Sequence, residues 1–179
     1  LDADGGDIRF KDGGTHIGSI YNDSTNLAIY SKVNNADMKF IGVDGGSDIT
    51  ALTLDMSAAG AATFNNSVKA KTYQETYAAK SAASTVTCDL ATAQHFSVTV
   101  SANTTFAFTN PPSSGTSYSF TLIVTQHSTA VTLTWPSTVD WAGGAAPAVA
   151  GNNEVQAYGF VTRDGGTTYY GFLGGTAIA

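Results

Sequence analysis

The chain has 179 residues, of which 42% are hydrophobic and 12% are charged, and its formal net charge is −6. It contains no apolar run of about 18 residues, so its pattern excludes a transmembrane helix, and an acidic chain without a basic stripe is not typical of nucleic-acid binding. The single cysteine, Cys88, excludes an internal disulfide framework. We therefore expect stability to come from a β core or from neighbouring chains. Because the chain opens at Leu1 within patterned sequence, we also expect a longer protein.

Short strands separated by turns are predicted for residues 1–72, because polar and apolar residues alternate there or short β-branched runs occur. The strand candidates are DIRF, THIGSIY, LAIYS, DMKFIG, ITALTLD, ATF and SVKA. The tripeptide Asp-Gly-Gly occurs at Asp4, Asp12 and Asp44 and predicts tight turns. A loose internal echo links GGDIRF, at residues 5–10, with NADMKF about thirty residues later.

These strands are too short and thin to form an independent globule, because small isolated sheets are marginal in water and edge strands expose unpaired backbone groups. We predict that identical chains wrap around one axis, so that residues 1–72 form an intertwined trimeric β shaft. The large side chains expected near that axis are Ile8, Phe10, Ile17, Ile20, Phe40 and Phe64. The small residues of 58–62 would let chains approach closely and would take their order from partner chains. A plain surface loop with an alanine-rich turn is the alternative.

The segment 73–83, YQETYAAKSAA, is rich in good helix formers and is predicted to be a short helical connector. Residues 84–179 contain longer and well-spaced strand patterns, such as SYSFTLIVTQ. Seven or eight strands of this kind predict a C-terminal antiparallel β-sandwich or jelly roll. The sequence RDGGTT, at 163–168, predicts a tight hairpin, and NPPSSG, at 110–115, predicts a strand break.

Two parts of the sequence resemble virion fibres. The first part, IGSIYNDSTNLAIYS…DMKFIG…ITALTLDMSAAGAATFNNSVKA, resembles the strand-rich shaft segments of bacteriophage tail fibres and related fibres, especially those of marine phages. The second part, TFAFTNPP…SFTLIVTQ…VTLTWPSTVDWAGGAAPAVA…YGFVTRDGGTTYYGFLGG, resembles the C-terminal β domain at the ends of such fibres. The resemblance covers most of the chain. It implies a homotrimer, an extracellular location in the virion and attachment to the host surface, and it assigns no function to individual residues.

The residue patterns do not predict an enzyme. His16, His95 and His127 are scattered over different strand or turn segments, and no nucleophile elbow of the form G-x-S-x-G is present. Cys88 and His95 lack a spacing or a third residue typical of a thiol–base pair. A cysteine in such a pattern is more typical of a small buried residue in a strand.

No cofactor or metal is predicted either. The opening LDADGGD begins like a calcium loop with Asp2, Asp4 and Asp7, but Gly6 occupies a ligand position and no glutamate closes the loop. Cysteine and histidine are too few and too dispersed for a zinc site. Phosphate-binding glycine motifs are absent, since the Asp-Gly-Gly turns do not open a helix.

Loops in the C-terminal half are the candidates for contact with a host receptor, because sugar sites combine aromatic faces with short polar side chains. The candidate receptor-binding residues are Asn110, Ser113, Ser114, Trp141, Arg163 and Asp164. Two alternatives stay open. In the first, Trp135 and Trp141 both pack into the sandwich. In the second, Arg163 and Asp164 are ordinary hairpin residues.

The sequence thus leads to a functional hypothesis, which is that the chain forms the distal part of a phage tail fibre. In this hypothesis, other virion tail proteins contact its N-terminal side, and its tip binds a surface glycan or an outer-membrane protein of the bacterial host without catalysis. Three weak sites on one tip would gain avidity. The first alternative is a purely structural virion fibre, decoration or head-fibre component. A remote alternative is a tailspike depolymerase, which needs two carboxylates about 5–10 Å apart.

Overall fold

The computed structural model describes residues 7–129 and 131–178. Within these ranges the chain has fifteen strands and no helix, which confirms the all-β part of the predicted fold. A helix long and apolar enough to cross a membrane is therefore also missing from these ranges. Contacts divide the chain into two compact units, with the boundary between Lys71 and Thr72.

Six strands of the first unit form two three-stranded antiparallel sheets. The strands are β1 (Asp7–Asp12), β2 (Thr15–Asp23), β3 (Asn26–Ser31), β4 (Met38–Asp44), β5 (Ser47–Asp55) and β6 (Ala61–Phe64). The first sheet has the order β1-β2-β3 and the second has the order β4-β5-β6. The predicted strand SVKA, at 67–70, is wrong. The segment has no ladder to join, since no described strand lies beyond β6 in this sheet.

Tight hairpins of one type open both sheets. Asp12 pairs with Thr15 and Asp44 pairs with Ser47, so each Asp-Gly-Gly sequence encloses a two-residue loop. The glycines of these loops have φ values between 53° and 86°. Such loops match the twist of antiparallel strands. The turn prediction is confirmed at Asp12 and Asp44, whereas Asp4 lies outside the described residues.

The two sheets also share a bulge. The register shifts directly after Phe10 in β1 and directly after Phe40 in β4. A bulge inserts an extra residue and increases the local twist of the strands. The two similar segments, which lie about thirty residues apart in the sequence, therefore correspond to two sheets with the same strand order and the same bulge position.

Each sheet of the first unit is amphipathic. Residues that pair directly across three strands lie on the same face, and neighbouring rows lie on opposite faces. The apolar rows are Ile8–Ile20–Ile29 and Phe40–Leu52–Phe64, and the rows on the opposite faces are Arg9–Ser19–Tyr30 and Lys39–Thr53–Thr63. Each sheet therefore presents one face that is suited to a protein interior.

Neither apolar face is covered in the single chain. No hydrophobic residue among the described residues of the first unit is buried. The side chains of Leu27, Ile29 and Phe40 are 79%, 59% and 52% exposed. Full burial of a side chain of this size stabilises a protein by about 1.5–3 kcal/mol. The first unit thus exposes the surface from which a core is normally built.

The alanine-rich stretch between β5 and β6 is a hydrogen-bonded turn. Asp55 Oδ1 accepts hydrogen bonds from the Ser57 amide at 2.9 Å and the Ala58 amide at 3.0 Å, and the Gly60 amide donates to the Asp55 carbonyl at 2.7 Å. These bonds to the Asp55 carboxylate also hold its pKa below the usual value, with the Ser57 hydroxyl as the largest cause. The stretch therefore forms a hydrogen-bonded turn within the single chain, and its contact with partner chains stays a prediction.

Nine strands form the second unit. They are β7 (Tyr77–Lys80), β8 (Thr85–Asp89), β9 (His95–Thr99), β10 (Thr104–Thr109), β11 (Tyr118–Thr125), β12 (Leu133–Thr134), β13 (Val139–Trp141), β14 (Val155–Thr162) and β15 (Tyr169–Ile178). One sheet has six strands in the order β13-β15-β14-β11-β9-β7, and the other has three in the order β12-β10-β8. From β7 to β13 the chain passes alternately between the two sheets.

The predicted antiparallel sandwich is wrong in most of its strand directions. Five strand pairs of the second unit are parallel, and only β11–β14 and β14–β15 are antiparallel. The segment that follows Asp89 leads the chain from β8 into β9 of the other sheet, instead of folding back beside β8. When each strand crosses to the opposite sheet, the next strand added to a sheet runs parallel to the last. Alternation of polar and apolar residues looks the same in both directions.

The inner faces of the two sheets enclose one hydrophobic core. Phe108, from the three-stranded sheet, lies edge-on to Phe120 and Phe160 of the six-stranded sheet, with ring centroids 4.9 Å apart in both pairs. Phe106 stacks on Trp135 at 4.6 Å. Pairs of this kind add about 0.5–1.5 kcal/mol to the burial of their area. The second unit therefore has a core of its own, in contrast to the first.

Residues 73–83 do not form the predicted helical connector. Tyr77–Lys80 instead form β7, which pairs in parallel with β9 at the edge of the six-stranded sheet. The Tyr77 hydroxyl lies 2.7 Å from Ser97 Oγ on that neighbouring strand. A helix of about three turns is marginal in water, whereas the edge of β9 offers backbone partners for a full ladder.

Candidate binding surface

Two loops of the second unit lie together at one end of its sheets. The Gly115 amide donates a 3.0 Å hydrogen bond to the Arg163 carbonyl, which joins loop 110–116 to hairpin 163–168. We call these two segments the loop-end surface. It brings together five of the six predicted candidates, which are Asn110, Ser113, Ser114, Arg163 and Asp164.

The hairpin holds Asp164 within its own turn. Asp164 Oδ1 accepts hydrogen bonds from the Thr168 amide at 3.0 Å and from the Thr162 hydroxyl at 3.1 Å. The pKa of Asp164 lies below its usual value, chiefly because the Thr168 amide donates to the carboxylate. The predicted hairpin at 163–168 is confirmed, and the alternative interpretation of Asp164 as a hairpin residue describes these contacts.

Asn110 also serves the fold. Its Nδ2 donates a 2.9 Å hydrogen bond to Asp89 Oδ1, and its backbone has a φ of 51°, a conformation that asparagine tolerates better than most residues. Ser113 and Ser114 are exposed, as Asn110 is, but have no such role in the hydrogen bonds of the fold. The exposed polar residues of loop 110–116 are therefore Asn110, Ser113, Ser114 and Thr116.

Trp141 is not part of this surface, and its predicted position in a loop is wrong, whereas its contact with a receptor stays a prediction. It ends β13, and its ring lies 5.1 Å from Trp135, 5.9 Å from Tyr158 and 5.6 Å from Phe160, measured between centroids. The neighbouring glycines and proline suggested a loop. The position of Trp141 is instead set by the pairing of β13 with β15 and by its contact with core aromatic residues. This agrees with the alternative in which Trp141 packs into the sandwich.

We expect Asp164→Ala to lower the melting temperature of the full chain by a few degrees, because two hydrogen bonds within the hairpin lose their acceptor. The contribution of Asp164 is complete above the unfolded pKa, about 3.9, and is lost as pH falls through the lower folded value. Melting curves between about pH 7 and about pH 2 check this, since the gap between parent and variant should close in acid. Asp164→Asn is the control, because it keeps an acceptor that does not titrate. A gap that stays constant with pH contradicts the prediction.

A second concave region crosses the outer face of the six-stranded sheet. Register places His95, Thr121, Gly159 and Phe172 side by side on β9, β11, β14 and β15. His95 Nε2 pairs with Glu75 Oε2, and His95 Nδ1 lies 2.6 Å from Thr121 Oγ1. We call this region the outer groove. Its residues line one concavity.

The outer groove was not predicted from the sequence. Glu75 fell within the predicted helical connector, and His95 was interpreted as an isolated strand histidine. A usable signal was Gly159, since a glycine inside a strand pattern often marks close approach of another group. The groove residues come from four strands and from the segment before β7, so no spacing in the sequence joins them.

The structure separates the other candidates for chemistry. Cys88 is fully buried in the core, whereas His95 lies on the outer face, so these two residues do not form a pair. Burial raises the pKa of the Cys88 thiol to about 12, which leaves it protonated at neutral pH. In residues 7–129 and 131–178, no group of three or more metal-binding side chains is found. Asp2 and Asp4 of the calcium-like opening lie outside those ranges.

No protein-family model matches the chain, and neither a curated protein nor a solved structure is similar to it. The function is therefore argued from geometry. The first unit contributes two uncovered apolar faces, and the second contributes a rigid core that presents the loop-end surface and the outer groove.

Proposed function

We propose that the chain is a homotrimeric fibre protein, in which the first unit forms an elongated intertwined β shaft. More particularly, we propose the distal part of a bacteriophage tail fibre, which lies outside the cell in the virion and binds the bacterial surface. The uncovered apolar faces of the first unit are the observation that carries this proposal. The resemblance of the sequence to tail-fibre shafts and tips agrees with it.

An assembly of several chains is supported because the described residues of the first unit form regular hairpins but bury no hydrophobic residue. In both apolar rows, each of the three strands contributes one large apolar side chain. Three such sheets around one axis would cover each apolar face with the other two, and closed cyclic symmetry is the usual arrangement of identical chains. Each buried isoleucine, leucine or phenylalanine would then contribute about 1.5–3 kcal/mol.

In this proposal the second unit is the fibre tip, and the loop-end surface meets the host. Its exposed groups include the hydroxyls of Ser113 and Ser114 and the side chain of Arg163. These suit a surface glycan or an outer-membrane protein. A single site of this size binds weakly, and three sites on one tip gain affinity through effective concentration.

The test combines solution mass with binding to cells. We expect sedimentation to give three times the 18.4 kDa of one chain, and we expect the labelled full chain to stain host cells. Ser113→Ala combined with Arg163→Ala should reduce staining while the mass stays unchanged. A compact monomer in solution would overturn the proposal at its foundation, and a trimer that stains no bacterial host would overturn the attachment role.

A purely structural virion component is the second candidate, and one observation favours it. Three of the six predicted contact residues, Asn110, Trp141 and Asp164, are engaged within the fold. In a decoration or head-fibre protein the second unit would then only hold the three chains in register. Antibodies against the second unit separate the two candidates, because they block adsorption of the phage only if this unit attaches to the host.

A further inference from the structure

The outer groove contains a glycine that the fold itself does not require. Gly159 lies in the middle of β14, and a Cβ added there would meet no atom within 4 Å. Its φ is not positive, so no special backbone conformation demands a glycine. Glycine inside a strand lowers stability. A space left open without a packing or conformational reason is suited to a ligand that approaches the backbone closely.

One wall of the outer groove carries fixed polar groups. The imidazole of His95 is held from both sides, by Glu75 Oε2 at Nε2 and by Thr121 Oγ1 at Nδ1. Glu75 Oε1 receives no hydrogen bond from the described residues, and Ser119 adds an exposed hydroxyl to the lining. Donors and acceptors whose orientation is already set lose little entropy on binding.

The opposite wall is aromatic. Phe172 is 48% exposed and pairs directly with Gly159, so its ring stands beside the open space. The groove therefore combines one apolar flat face with a hydroxyl group and a carboxylate group that are free to bond a ligand. This combination matches the two sides of a pyranose ring, whose C–H face packs on an aromatic ring and whose hydroxyls form hydrogen bonds.

We infer that the outer groove binds a neutral sugar unit, with Phe172 beneath its C–H face and with Glu75 and Ser119 bonded to its hydroxyls, while His95 holds the Glu75 carboxylate in place. A neutral sugar is favoured over a uronic or sialic acid, because the Glu75 carboxylate stands in the groove and the chain carries a net charge of −6. The inference deepens the proposed host-surface function by naming a ligand class, although the groove lies within the second unit and needs no partner chain.

The experiment uses the full chain and an array of glycans with neutral hexose, N-acetylhexosamine, uronic acid and sialic acid ends. We expect neutral glycans to bind, and calorimetric titration with the matching methyl glycoside gives the affinity. Gly159→Val fills the space beside Phe172 and should weaken binding at least tenfold. The matched control is Ala157→Val, two residues away on the same strand and outside the groove lining, which should leave the affinity within twofold of the parent.

Several results would overturn the inference. Absence of binding to every neutral glycan does so, and so does a Gly159→Val variant that binds as tightly as the parent. If Gly159→Val alters the oligomeric mass, the groove is a contact between copies and the sugar site is wrong. The proposed function fails separately, because a trimer that stains host cells but binds no neutral sugar keeps the attachment role and loses only this site.

Discussion

Phe40→Asp is expected to convert the proposed trimer into single chains. In the isolated chain Phe40 is 52% exposed, and an exposed substitution usually changes stability by about 0.5 kcal/mol or less. In the proposed shaft the same position lies in the interior, where an unpaired carboxylate costs about 3–5 kcal/mol per chain. Sedimentation at several concentrations measures the outcome. The size of the effect distinguishes an exposed face from one covered by partner chains.

The control for this prediction is Thr63→Asp. Thr63 lies on β6 one residue before Phe64, in the row with Lys39 and Thr53, so its side chain points to the polar face of the same sheet. The Thr63→Asp variant introduces the same charge at a position that stays in solvent in the proposed trimer. We expect the mass of this variant in solution to equal that of the parent. Equal masses for both variants and the parent would mean that the apolar face is not an interface.

Phe120→Ala should produce the largest loss of stability in the second unit, about 3–5 kcal/mol. Phe120 is 2% exposed, and its ring contacts the rings of Phe96, Phe108 and Phe160, with centroids 4.9–6.2 Å away. Removing it leaves a cavity between the two sheets, which the surrounding strands fill incompletely. Both tryptophans of the chain lie in this unit, so tryptophan fluorescence during denaturant unfolding reports on this unit.

Ile123→Ala provides the comparison on the same strand. Ile123 lies three residues from Phe120 on β11 but faces outward and is 42% exposed. We expect a loss below about 1 kcal/mol, since little apolar area is uncovered. Similar losses at both positions would contradict a core enclosed between the two sheets.

Several features could be predicted because their causes are local. Alternating strand patterns such as HFSVT report the β class directly, since period-2 burial arises within each strand. The Asp-Gly-Gly hairpins at Asp12 and Asp44 follow from the positive φ that glycine adopts without cost. The hairpin at Asp164 has the same origin. Each of these features depends on a few consecutive residues, so the sequence contains all of the information.

The remaining features depend on which strands become neighbours, and this is a property of the whole fold. A strand has the same alternation in a parallel or an antiparallel pair, so the direction of β8 relative to β10 appeared only with the crossing between sheets. The same pairing made Tyr77–Lys80 an edge strand and placed Trp141 on core aromatics. The outer groove exists because His95, Gly159 and distant strand residues come into register. Composition and turns determined the β class and its hairpins, whereas nonlocal strand pairing decided direction, burial and the site, because backbone ladders join residues irrespective of their separation along the chain.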